Sequence, residues 1–253
     1  MLPEIKINNE DLNIIYDIKF PNSSECDAYY CTYKNQPKVI KIFKDNNIIE
    51  EKTKKIKLLK KRLENIPEIV TADAIIYDKE IIGYIMPYIN GNNLCYTCKL
   101  NREQQIYLYK ELSNILKKIH KLNIIAADFG NNTLYTPDNK LFLIDHDNFS
   151  IDNYNVNVKN FHFRLYEQKI KTIDEHFDDY LLNIYTIAGF KNILADVITC
   201  AYNQYPYKFN FKDQKITKIF ENTMNLNETY NEELIIDRIN TVKDLRKIKT
   251  RIF

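Results

Sequence analysis

Glycine is scarce in this chain, with four in 253 residues. Glycine lets a backbone press against a ligand or turn left-handed without strain, so a site that depends on such close approach has few places to form. Long apolar runs are missing too. The longest, "IIGYIMPYI" at 81–89, is about half a bilayer span and contains Pro87, so no membrane-spanning segment is expected. The first twenty residues hold acids and no stretch of signal-peptide character, which points to a soluble, cytoplasmic protein. Cysteines are five and scattered, which argues against a disulfide framework. Cys95 and Cys98 form a lone CxxC without a second pair at zinc-finger spacing, so no structural zinc is expected. An excess of one charge is also absent. With 36 Lys and Arg against 34 Asp and Glu, the net charge is +2, too small for a field that gathers polyanions.

What remains is a core-forming composition: 45% of residues are hydrophobic and 28% charged, which excludes disorder, collagen and coiled coil. A chain of this length buries roughly 70 to 75% of its extended surface, as one large domain or two small lobes. The basic stretches 52–62 and 243–251 read as solvated helix faces, so nucleic acid is not the expected partner.

Secondary-structure signals change along the chain. "AYYCTY" (28–33), the turn "KNQP" and the alternating "KVIKIF" (38–43) predict a hairpin. Ile49, Ile56, Leu59, Leu63 and Ile66 recur at helical spacing and Pro67 stops them. "IVTADAIIYD" (69–78) and "IIGYIMPYI" predict another antiparallel pair. A helix is expected over about 102–122, then two short strands, "TLYT" and "LFLID", and an apolar helix "YLLNIYTIAGF" (180–190) after an irregular stretch. The boundary falls near residue 88, giving 1–88 as sheet plus one helix and 89–253 as mainly helical.

Several residues stand out chemically. Lys41 lies inside an apolar strand, where an ammonium is costly unless it meets anions. "AADFGNN" (126–132) and "IDHDNF" (144–149) are Asn- and Asp-rich loops on either side of the predicted strand pair, with 17 positions from Asp128 to Asp145.

The order and spacing of "VIKIF" (39–43), "GYIMPYINGNNL" (83–94), "IHKLNIIAADFGNNTLY" (119–135) and "LFLIDHDNFS" (141–150) resemble the protein kinase-like superfamily over about residues 14–190. The "GYIMPYI" and "IDHDNF" forms look most like an atypical bacterial branch with an Ile-Asp-x-Asp metal motif. The resemblance implies an α+β, two-lobed protein kinase-like fold: a small antiparallel-sheet lobe with one helix, and a larger, mainly helical lobe. It implies an ATP- and Mg²⁺-dependent phosphotransferase, foremost a serine/threonine protein kinase whose partners are ATP and a protein substrate.

Residue by residue, it assigns Lys41 to the α- and β-phosphates, with a helix carboxylate to hold it. Glu50 and Glu51 are the candidates, and Glu51, at the flank of the apolar stripe, is preferred; the family's glutamate usually sits further along this helix. Asp128 takes the catalytic position, preceded by Ala126-Ala127 instead of His-Arg. The metal-binding Asn belongs five positions after it, where Thr133 stands, so Asn132 is assigned to the metal with Asp145, and Asp147 to a second metal or to water. Met86, Pro87 and Ile89 match the adenine-binding hinge, with Ile89 as N–H donor because Pro87 has none. Asn22, Ser23 and Ser24 align with the phosphate-covering loop, which lacks its glycines. Glu167 and Asp179 are weaker matches, to the end of the activation segment and to a scaffolding Asp. Two alternatives stay open: a kinase of small molecules, such as antibiotics, choline or lipopolysaccharide sugars, and a pseudokinase acting as a binding module.

Overall fold

The computed structural model describes residues 2–20, 25–94, 100–155, 173–190, 209–211 and 250–252. Asn22, Ser23, Ser24, Cys95, Cys98 and Glu167 lie outside them. The chain forms two compact units, Met1–Asn90 with Phe142–Asp147, and Gly91–Leu141 with Asn148–Phe253. Sequence reading assigned 142–147 to the second region, whereas these residues belong to the first unit. The fold is α+β.

The first unit is a six-stranded sheet: β1 (Glu4–Lys6), β2 (Leu12–Lys19), β3 (Cys26–Tyr33), β4 (Gln36–Phe43), β5 (Ala74–Tyr77) and β6 (Ile81–Pro87), in the order β1-β5-β6-β4-β3-β2. The pairings are antiparallel except that β1 lies parallel to β5, with Glu4 opposite Ile75. Sequence reading missed β1, because three residues are too few to display a period of two. The β3–β4 hairpin turns on Lys34 and Asn35 alone, both left-handed at φ 50 and 59, the pairing a two-residue primed turn needs. Gln36 and Pro37, expected in the turn, therefore belong to β4.

Alternation along β4 sends Val39, Lys41 and Phe43 to one face and Ile40 and Ile42 to the other. The first face meets α1 (Ile49–Arg62), whose Ile49 and Ile56 join Val39, Phe43, Ile75, Tyr84 and Met86 in a buried cluster. Glu50 and Glu51 open this helix and Lys60, Lys61 and Arg62 close it, as its dipole favours. It ends before Leu63 and Ile66, which are buried in the turns that follow. The strand expected from residue 69 begins only at Ala74. Ile69 and its neighbours instead clasp the segment around Leu143: Val70 N–H donates to the Leu143 carbonyl at 2.8 Å, and Leu143 N–H to the Glu68 carbonyl at 2.8 Å. This clasp holds 142–147 in the first unit.

In the second unit β7 (Asn92–Asn93) pairs with β9 (Thr133–Tyr135), and β8 (Ile124–Ile125) with β11 (Ser150–Ile151). Between β9 and β11, β10 (Leu141–Leu143) carries the chain from one unit to the other. Helix α2 (Arg102–His120) starts from a capping box, Asn101 accepting from the Gln104 N–H and Gln104 from the Asn101 N–H. Its buried Leu108, Leu112, Leu116 and Ile119 face inward, and Phe177, Leu181, Leu182 and Tyr185 are buried on α3 (Glu175–Phe190). Phe209–Phe211 and Thr250–Ile252 form a further antiparallel pair, β12 and β13. No helix among the described residues is long and apolar enough to cross a membrane.

Candidate functional site

The first unit gathers charge where its sheet would otherwise be apolar. The Lys41 side chain, 8% exposed, leaves β4 on the α1 side, and its ammonium contacts one carboxylate oxygen of Asp145 and lies 3.4 Å from Asp147 Oδ1. Asp147, 5% exposed, also accepts from the Tyr84 hydroxyl at 2.7 Å and from Lys52 Nζ at 3.0 Å. Lys52 in turn contacts Glu25, beside β3. The structure thus brings Lys41 and Asp145 together.

The two aspartates share these cations unequally. Burial raises the pKa of both, but Lys41 and Lys52 together hold Asp147 well below the usual carboxylate range. Asp145 is pushed up to about 7 by burial and by the charge of Asp147, which outweigh Lys41. The Lys41 ammonium touches Asp145 more closely than Asp147, yet Asp147 is the firmer anion, because Lys52 and Tyr84 serve it as well. Burial works against charge on Lys41, and the two aspartates more than restore it. Asp145 sits at φ 66, a left-handed conformation that costs a non-glycine residue about 1 kcal/mol. Such strain is stored where surrounding contacts fix a group's direction. Its carboxylate, 18% exposed, is the open member of the pair. Asp147, assigned in the sequence to a second metal or to water, instead has its oxygens taken up by protein donors. Between them His146 is fully buried, and burial lowers its pKa to about 4, outweighing the charge of Asp147 and a backbone hydrogen bond with Val70, which raise it.

The expected carboxylate partner of Lys41 is not the residue α1 supplies. Glu51 is exposed, and the helix meets the cluster with Lys52 and, one turn on, with Lys55, which is buried. Burial lowers Lys55 to about 8, Asp147 partly offsetting the effect. The signal was present in the sequence: 52, 56, 59 and 63 fall at helical spacing, so Lys52 lies on the apolar stripe and Glu51 beside it. The stretch 52–62 is therefore not simply a solvated face. Tyr84, two positions before Met86, was also missed, because a tyrosine inside an apolar strand reads as core.

Beside the charges lies an apolar surface. Met86 is buried in the α1-side cluster, and Ala28, Tyr88, Ile89 and Ile144 pack against it half-buried. Pro87 ends β6 opposite Lys38. Tyr88 N–H is spent on the Pro37 carbonyl at 3.3 Å and Pro87 has none, so Ile89 is the first residue beyond the strand able to offer its N–H to a ligand.

In the second unit, Asp128 leaves a tight turn. Ala127 is left-handed at φ 56, and Asp128 N–H reaches back to the Ala126 carbonyl at 2.6 Å. The turn is pinned by Asp178, which accepts Ala126 N–H at 2.8 Å and Ala127 N–H at 2.7 Å and is joined by His120 Nε2 at 2.8 Å. The aspartate that holds this turn is therefore Asp178, fully buried, and not the half-buried Asp179. Both lie at the start of α3, where the wheel alone does not tell neighbours apart. Asn132 donates its amide to the Asp128 carbonyl at 2.8 Å, while Thr133, where the sequence resemblance would place an Asn, is buried with its hydroxyl on the Phe129 carbonyl at 2.7 Å. Of the two, Asn132 is half-buried and keeps its amide oxygen as an acceptor, the part of the group that suits a hard cation.

No known protein-family model matches the chain, and no curated protein matches it in sequence.

Proposed function

We propose that the chain is an ATP- and Mg²⁺-dependent phosphotransferase of the protein kinase-like superfamily, two-lobed, that phosphorylates serine or threonine hydroxyls of a protein. The observation that carries this reading is the meeting of Lys41 with Asp145: a buried ammonium against a carboxylate held on a left-handed backbone and 18% exposed. Such a pair suits a polyphosphate with its counter-cation, the ammonium going to phosphate oxygens and the carboxylate to the metal. Mg²⁺ asks for one or two carboxylates beside phosphate oxygens, a demand that Asp145 suits better than Asp147; Asn132 is carried to the metal by the kinase resemblance alone. When bound, it supplies positive charge to the phosphates.

In this reading Ala28, Met86 and Ile144 offer the adenine ring an apolar surface, with the Ile89 N–H and the Pro87 carbonyl for its edge. Lys41 donates to the phosphates and stabilises the charge that grows on them. Asp128 orients the acceptor hydroxyl. As the acceptor oxygen bonds to the γ-phosphorus and the bond to the ADP oxygen breaks, the hydroxyl proton passes to Asp128. The flanking Asn22, Ser23 and Ser24 are proposed for the phosphate-covering role, with hydroxyl and amide donors in place of glycine N–H groups.

The test is transfer from labelled ATP with Mg²⁺, alone and to generic protein acceptors, for the wild type beside Asp128→Asn and Asp145→Asn. Transfer that both substitutions abolish supports the reading. A second reading, a binding module without catalysis, draws on the same cluster: Lys41 is already neutralised by two carboxylates of the chain itself. It takes over if ATP with Mg²⁺ does not raise the melting temperature, since a ligand at 100 times its Kd adds roughly 2.7 kcal/mol.

A further inference from the structure

Helix α1 presents a cation to the cluster where an acid was expected, and this changes what Lys41 can do. Asp147 is buried and ionised; besides a hydrogen bond with Asp145, it accepts from Lys41 Nζ at 3.4 Å, Lys52 Nζ at 3.0 Å and the Tyr84 hydroxyl at 2.7 Å, the last three all from other strands and the helix. Two of these are cations, and only Lys52 comes from the helix. Lys55, the next basic residue on that face, forms no ion pair among the described residues, so it is no substitute. We propose that Lys52 is a positioning residue for nucleotide binding: by compensating Asp147 from α1, it leaves Lys41 to the phosphates and Asp145 to the cation.

The argument rests on the phosphotransferase reading and on the cost of a buried unpaired carboxylate. When a polyphosphate draws Lys41 away, Asp147 keeps Lys52 and Tyr84 and stays where it is. Without Lys52, the only cation among the described residues within ion-pair distance of Asp147 is Lys41. The ligand must then strip Asp147 of its last cation, and binding weakens. Lys52 touches no ligand in this scheme; it acts through Asp147. Its contact with Glu25 gives the ammonium a second anchor, so the helix, the start of β3 and the 145–147 turn share one side chain.

The experiment is a thermal-shift and kinetic titration with ATP and Mg²⁺ of the wild type, Lys52→Met, Lys52→Arg, Asp147→Asn and the double variant Lys52→Met/Asp147→Asn, with Lys54→Gln as surface control. Lys52→Met is expected to weaken apparent ATP affinity by about 10- to 100-fold, the scale of one charge-assisted hydrogen bond, with kcat changed much less than KM. Lys52→Arg restores most of the loss. Because Asp147→Asn removes the anion that Lys52 serves, the double variant is expected to bind no worse than the weaker single one. Losses that multiply would overturn the proposal, since they mean that Lys52 meets the phosphates directly. Unchanged affinity in Lys52→Met while the wild type binds ATP would overturn it as well. A wild type with no response to ATP and Mg²⁺ removes the phosphotransferase reading itself and this inference with it, a result distinct from the other two. Should Lys52→Met not melt cooperatively, Lys52→Gln, which keeps a donor but no charge, takes its place.

Discussion

Gly83 faces Lys41 across the β4–β6 pair so closely that a Cβ at position 83 would lie 2.0 Å from the Lys41 carbonyl oxygen. Ile42 pairs directly with Gly83, and Lys41 with Tyr84, so the strand that carries the ammonium is set by the absence of a side chain opposite it. Backbone cannot yield as a flexible side-chain end can. Gly83→Ala is therefore expected to cost about 3 kcal/mol, measured as a shift of the denaturation midpoint. It should also reduce the melting shift expected from ATP and Mg²⁺ under the proposed function, because a displaced β4 displaces Lys41.

Asp145 makes both binding and stability depend on pH. Its folded pKa of about 7 lies above its usual 3.8, so between roughly pH 4 and 7 the folded protein holds a proton that the unfolded chain has released, and stability falls as pH rises through that window. A cation needs the ionised carboxylate, so ATP affinity with Mg²⁺ is expected to climb through pH 7 and level off above it. Urea midpoints and ATP titrations across pH 4 to 8 would show both trends. Asp145→Asn should flatten the stability trend; a variant that keeps the wild-type slope would contradict the assignment.

Part of this site is legible in the sequence. Lys41 in its apolar strand and the "IDHDNF" turn stand out there, though a snorkelling lysine and ordinary turn chemistry would also account for them, and the two do meet. The charge on α1 was harder to read, because a lysine on an apolar stripe looks like a snorkelling side chain until the acid that receives it is known. That acid, Asp147, is 95 positions away, beyond any local pattern. Asp178 against Asp179 was likewise undecidable, since one residue of rotation separates a half-buried carboxylate from a fully buried one and the turn it holds lies about fifty positions upstream. The short β1 gave no periodic signal at all, while α1, α2 and the hairpins, with long repeats of three and four or of two, could be placed.

Tyr84 is worth its hydroxyl. Tyr84→Phe leaves the buried Asp147 with two lysines and one donor fewer, at an expected cost of about 1 to 3 kcal/mol, readable from chemical denaturation. The ring still packs against Phe43, with centroids 6.0 Å apart, so the loss reports the hydrogen bond and not the core.

Glu51→Gln supplies the contrast. An exposed residue at the first turn of α1 is expected to change stability by no more than about 0.5 kcal/mol and to leave ATP affinity intact. A loss comparable to that of Lys41→Met would show that Glu51 swings in to hold Lys41 once nucleotide is bound, and would restore the carboxylate expected from the sequence.

Asp178 acts on Asp128 through backbone. It holds two consecutive N–H groups of a turn whose central residue, Ala127, is left-handed, and that strain persists only while both are held. Asp178→Asn replaces one acceptor oxygen by a donor, so at least one buried N–H loses its partner, at about 2 kcal/mol or more. If Asp128 orients the acceptor hydroxyl, as in the proposed phosphotransferase, kcat is expected to fall while ATP affinity stays near wild type. The same carboxylate receives His120, whose pKa burial lowers and Asp178 raises, with the net shift upward. A raised histidine stabilises fully below its usual 6.5 and loses that contribution as pH rises through its folded value. His120→Gln should therefore remove a decline in stability on the alkaline side of pH 6.5 and leave intact the one between pH 4 and 7 that belongs to Asp145. Midpoints of the two single variants, followed over the same pH range, separate the two groups.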